Sequence, residues 1–111
     1  MSLVERAQAY FGYVRACEPA GVAGMFAEDG VLNLPNGETV TGRAAIEAYY
    51  ARVFSRATPN PTVLAIAADG DKCLVELLAH GTDGSVAPVA DVFTFNKTDQ
   101  VAALSIYLRH A

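Results

Sequence analysis

Basic clusters, long apolar runs and metal-binding cysteine spacings are all missing from this chain. Its 111 residues carry 8 Lys and Arg against 12 Asp and Glu, a formal charge of −4. Nothing basic is concentrated, so the electrostatic footprint of a nucleic-acid binder is absent and no nucleic-acid partner is expected. No stretch approaches the roughly 18 consecutive apolar residues of a membrane span, which argues against a membrane partner. The N-terminal MSLVERAQAY lacks the basic segment before an apolar run that marks a signal peptide, and a cytoplasmic location is the expectation. Cys17 and Cys73 are too few and too far apart for a metal motif or a disulfide framework; they read as free, buried thiols. His80 and His110 do not suggest a metal site, and there is no glycine-rich phosphate loop, so no metal or cofactor is expected. Repeats and low-complexity tracts are lacking too.

What is present suits one domain spanning residues 1–111, since 52% of the residues are hydrophobic and a chain of this length forms a single core. Ser2 and Glu5 make a capping box that opens a first helix. Leu3, Ala7, Tyr10, Val14 and Cys17 then recur at helical spacing, with Phe11 flanking them. PAGVAGMFA suits a short second helix with Pro19 in its first turn, although its glycines weaken it. VLNL, from Val31, begins a strand, PNG at 35–37 is a turn, and ETVT returns as a second strand. RAAIEAYYARVFS, from Arg43, is a third helix with Ile46, Tyr49, Tyr50, Val53 and Phe54 on one face. After RATPNP the pattern turns to strands at roughly 61–68, 73–80, 86–96 and 101–109, joined by short turns and therefore antiparallel neighbours. Helices followed by a meander argue an α+β fold, with a cavity between sheet and helices.

Several polar side chains fall where the pattern asks for apolar ones. Alternation in SVAPVADVFTFN puts Ala87, Val89, Asp91, Phe93 and Phe95 on one face, so Asp91 is a carboxylate on the dry side of a strand. Such a group must either be protonated or have a donor. Tyr10 and Tyr50 lie within helical stripes, where a tyrosine is either a core residue with a bonded hydroxyl or a functional one. In CLVELLAH, Glu76, Leu78 and His80 share one face. The other face, Cys73, Val75, Leu77 and Ala79, is the more apolar of the two, which leaves the inward side of this strand open.

Three stretches carry a resemblance, in order and at matching spacing across essentially the whole chain. MFAEDGVLNLPNG, GRAAIEAYYA and APVADVFTFN resemble segments of the ketosteroid isomerase branch of the NTF2-like (SnoaL-like) superfamily. The resemblance implies a cone-shaped, cystatin-like fold in which three N-terminal helices pack in a curved antiparallel sheet. It also implies a homodimer paired through the sheet and a hydrophobic small-molecule ligand of steroid or polyketide size. Asp91 would match the acid of that family's oxyanion hole and Tyr10 its tyrosine, with Tyr50, Leu34, Leu78 and Phe93 about the pocket. Ketosteroid isomerase is the well-known case of a carboxylic acid kept neutral so that it can donate a hydrogen bond. The family's general base, however, aligns with Leu34, which cannot accept a proton. The same alignment puts Glu76 and His80 on the cavity face as replacement bases. Enolate-stabilising isomerase chemistry is thus the leading expectation. A non-catalytic binding protein, or a SnoaL-like cyclase with Asp91 as acid–base, is the alternative.

Overall fold

The computed structural model describes residues 1–109, so His110 lies outside the described residues. In chain order the elements are α1 (Leu3–Arg15), α2 (Pro19–Gly24), β1 (Phe26–Asn33), β2 (Thr39–Thr41) and α3 (Arg43–Arg56). Then come β3 (Thr62–Asp69), β4 (Lys72–His80), β5 (Val86–Phe95) and β6 (Val101–Leu108). The capping box forms as expected: Glu5 N donates to Ser2 Oγ at 3.1 Å and Ser2 N to Glu5 Oε1 at 2.9 Å. The fold is α+β.

The six strands form one sheet in the order β2-β1-β6-β5-β4-β3. β3 to β6 are the expected antiparallel meander. One pair departs from an all-antiparallel sheet: β1 lies parallel to β6, because the chain returns through α3 and the whole meander before pairing beside it. α2 is shorter than the apolar letters suggest, and β1 starts earlier. Val101 N donates to Met25 O at 2.9 Å and Phe26 pairs with Val101, which draws residues 25 and 26 into the sheet just after a glycine that ends the helix poorly. PNG turns as read: Gly37 has φ +92, a region that only glycine enters freely.

The core lies between the inner sheet face and the helices, around Phe26, Leu32, Ile46, Phe93 and Leu104, all fully buried. α1 packs across β3 and β4, while α3 packs on α2, β1 and β2. Cys17 and Cys73 are free, the latter buried within the core.

β1 carries an irregularity between Phe26 and Val31, where its register to β6 shifts. Gly30 sits in it. A Cβ there would come within 2.9 Å of Ala27 O and 3.0 Å of Val101 O. Both are backbone atoms that cannot swing aside. Gly30→Ala is therefore expected to lower stability by ~1–3 kcal/mol, the usual cost of overpacking, read as a lower urea midpoint with an unchanged slope. An unchanged midpoint would refute the close approach.

Candidate functional site

A cleft of about 210 Å³ opens where α1, the loop before β3 and the inner face of β4–β6 meet. Its walls are mostly apolar, among them Phe11, Val14, Leu77, Val89 and Ile106, and its titratable lining residues are Tyr10, His80 and Asp91. The loop is held in place by α1: Arg15 Nη2 donates to Pro61 O at 2.9 Å. Asn60 and His80 are exposed and mark the solvent side, whereas Tyr10 and Asp91 are each only 4% exposed.

The sheet explains why Asp91 is isolated. Its cross-strand neighbours are Val75 on β4 and Ile106 on β6. Along β5 the same face carries Val89 and Phe93. None of these can donate a hydrogen bond, and Asp91 Oδ1 is buried without a partner. Desolvation of the charged form then raises the carboxyl pKa to about 7. Near neutrality Asp91 is thus divided between a neutral acid that can donate and a carboxylate that can accept.

Tyr10 reaches the cleft from α1. Its hydroxyl meets that of Tyr50, from α3, at 2.5 Å, and its ring stands edge-on to Phe93 with centroids 5.2 Å apart. Burial raises the Tyr10 pKa well above normal, reinforced by the nearby Tyr50 and Asp91 charges. Burial likewise raises that of Tyr50. Both hydroxyls stay protonated at neutral pH. Two protons serve one shared contact, so one is left over. Either hydroxyl can donate in this contact; in the arrangement where Tyr50 donates, the spare proton is that of Tyr10, the member of the pair that lines the cleft.

Other expected positions fall elsewhere. Glu76 is a correction: it is exposed and stands opposite Ala90 on the outer face, where it lines a depression with Tyr107 and Arg109. Cys73, Val75 and Leu77 take the inner side because burying them outweighs keeping Glu76 inward. Leu78 goes outward with Glu76 and does not line the cleft. Tyr50 and Phe93 stand behind the wall rather than in it. Leu34 lines a separate depression beside the β1–β2 turn. His80 stays at the rim, at the end of β4, with Nε2 2.8 Å from Thr62 Oγ1. Sequence reasoning missed the Pro59–Asn60–Pro61 wall and Ile106. The proline pair in the connection between α3 and β3 was a faint signal for the first; nothing distinguished the second from core.

A family model described as a SnoaL-like domain matches residues 7–104. No curated protein matches the chain in sequence. Solved structures similar to it include a candidate polyketide cyclase from Sinorhizobium meliloti, at 25% identity and TM-score 0.82, covering 92% of this chain and 93% of that one. Another is a protein with a ketosteroid isomerase-like fold from Catenulispora acidiphila in complex with trimethylamine, at 21% and 0.83, covering 93% and 84%. A third is the epoxide hydrolase/cyclase-like enzyme SalBIII, associated with pyran ring formation in the polyether salinomycin, at 20% and 0.80, covering 95% and 88%. Others are described as cystatin-like, in keeping with helices packed on an open curved sheet.

The raised pKa of Asp91 has a consequence for stability. Between about pH 4 and 7 the unfolded chain has released a proton that the folded one still holds. Stability therefore falls as pH rises through that window, by ~4 kcal/mol in full. Asp91→Asn should remove this part of the slope, so that chemical-denaturation curves of the two proteins diverge toward pH 8 in favour of the variant. Parallel pH profiles would contradict an uncompensated carboxylate.

Proposed function

Because the chain belongs to the SnoaL-like domain family, we propose that its cleft binds a hydrophobic carbonyl compound and stabilises the enolate formed from it. The observation behind this reading is a carboxyl group with an unpartnered oxygen, beside a tyrosine hydroxyl, on the wall of an otherwise apolar cleft. Neutral Asp91 and Tyr10 donate to the ligand oxygen, and the dry surroundings strengthen both bonds as negative charge develops there. The proton leaving carbon needs an acceptor. Leu34 is none and Glu76 faces away, so the role passes to His80, the remaining titratable residue lining the cleft. This is isomerase-type chemistry of the ketosteroid isomerase kind with its base moved to the rim.

A second reading is favoured by the pKa of about 7 at Asp91 and by similarity to a candidate polyketide cyclase. Here Asp91 itself takes up and returns the proton. The two differ in sign with pH. Donation by Asp91 is lost as pH rises through about 7, whereas proton abstraction by it is gained. A third possibility, binding without turnover, is favoured by Leu34.

The test uses para-nitrophenol as a stable planar mimic of an enolate oxygen, followed by its absorbance. It is paired with hydrogen–deuterium exchange at the α-carbon of small cyclic enones, followed by NMR. Tyr10→Phe and Asp91→Asn should each weaken phenol binding about tenfold or more and slow exchange by roughly a hundredfold. His80→Ala should abolish exchange and leave phenol affinity nearly intact. Exchange that survives in His80→Ala and rises with pH through 7 transfers the base role to Asp91. Phenol binding without exchange in any protein leaves a binding module. Binding indifferent to Asp91 refutes the site.

The partner proposed for the outer sheet face is a second copy of the chain. Leu74 is 49% and Tyr107 59% exposed there, and the strand register sets them beside Val92 and Ala90. Glu76 and Arg109 line the same depression, so a two-fold pairing could set opposite charges against each other. Sedimentation should give a dimer that Tyr107→Glu dissociates; a wild-type monomer overturns the assembly.

A further inference from the structure

We infer that Ile106 limits the cleft to compact, single-ring ligands by separating it from a second depression, a conclusion that rests on the proposed carbonyl-binding role. The separation follows from unequal strand lengths. β1 stops at Asn33, which pairs with Ser105, while β6 runs on to Leu108. Beyond the end of β1 the sheet has no neighbour on that side of β6. The gap is a depression of about 400 Å³, lined by Asn33, Leu34, Pro35 and Leu108, among others.

Ile106 borders both spaces. It pairs in register with Asp91 and therefore points to the same inner face. It is half-buried and packs against the core. A β-branched side chain has few rotamers into which it can retreat, so Ile106 acts as a fixed partition. On one side lie Asp91 and about 210 Å³, less than the ~300–1,000 Å³ usual for drug-sized ligands. On the other side lie Leu34 and a mixed rim that includes Pro35 and Leu108 together with Asn33, Ser105 and Tyr107. Joined, the two would reach ordinary ligand-pocket size; divided, the Asp91 side admits one ring and a short substituent. Leu34 suits contact with a hydrocarbon end of a longer ligand once the partition is removed.

The test compares para-nitrophenol, with one ring, and equilenin, a four-ring phenolic steroid, by absorbance and fluorescence titration. The proteins are wild type, Ile106→Val, Ile106→Ala and Asp91→Asn, each with its fold checked by circular dichroism. Wild type should bind para-nitrophenol in an Asp91-dependent way and bind equilenin no better. Ile106→Ala should raise the ratio of equilenin to para-nitrophenol affinity about tenfold or more. Ile106→Val, which keeps most of the packing, should fall between. Asp91-dependent binding of para-nitrophenol with no gain for equilenin in either variant overturns the partition alone. Wild type already binding equilenin as tightly as Ile106→Ala does the same. Binding of neither phenol in an Asp91-dependent way overturns the site reading, and the partition with it.

Discussion

The site depends on one unfavourable placement. Asp91 lies between Val75, Ile106, Val89 and Phe93 on the inner face of a central strand, and its Oδ1 has no partner. A mutationally simple remedy, an arginine or a backbone donor nearby, would lower the cost and fix the charge. The fold supplies neither. It supplies hydrocarbon neighbours along and across the strand and, from α1, a tyrosine whose hydroxyl is paired with that of a second tyrosine on α3. The carboxyl is left undecided near neutrality, the state in which one group can donate or accept at small energetic cost.

That arrangement was partly legible in the sequence. Alternation around Asp91 was sufficient to place it, because five consecutive same-face positions allow no other register once four are apolar. The stripe of α1 gave Tyr10, and the capping box gave the start of its helix. CLVELLAH was harder. Both of its faces contain leucine, and the alignment-based choice put Glu76 inside. The energetic comparison runs the other way: three apolar side chains and a thiol against a glutamate, and burial sends Glu76 out. The parallel pairing of β1 with β6 was invisible because it joins the ends of the chain, and local periodicity says nothing about which distant strand becomes a neighbour. Ile106 was invisible for a related reason: its importance comes from where β1 stops, not from its own residue type.

Membership of a family fixes the scaffold more firmly than the chemistry. The similar structures named above are at most 25% identical to this chain over nearly its full length, which is enough for the backbone and little guide to the acid and the base. The residues decide those. Leu34 cannot accept a proton and sits in a different depression from Asp91. In the proposed roles the acid, Asp91, lies deep and the base, His80, lies at the rim on a strand end. Under those proposed roles a ligand that spans them is short and keeps its reactive carbon toward the solvent side of the cleft.

The missing partner of Asp91 links ligand, proton and stability. A ligand that accepts a hydrogen bond favours the neutral acid, so binding it takes up a proton near pH 7 and raises the carboxyl pKa further. A ligand that donates favours the carboxylate, so binding it releases a proton and lowers the pKa. Either kind satisfies a group that the empty fold leaves unsatisfied, and each stabilises the folded chain by its own mass action. Carbonyl oxygens are acceptors only. Selection for a carbonyl ligand would therefore favour surroundings that keep Asp91 protonated, and an all-hydrocarbon flank does so without any counter-charge. Selection for a hydroxyl-bearing ligand would have tolerated a donor beside it. The absence of such a donor among the sheet neighbours of Asp91 is the physical reason to favour the carbonyl.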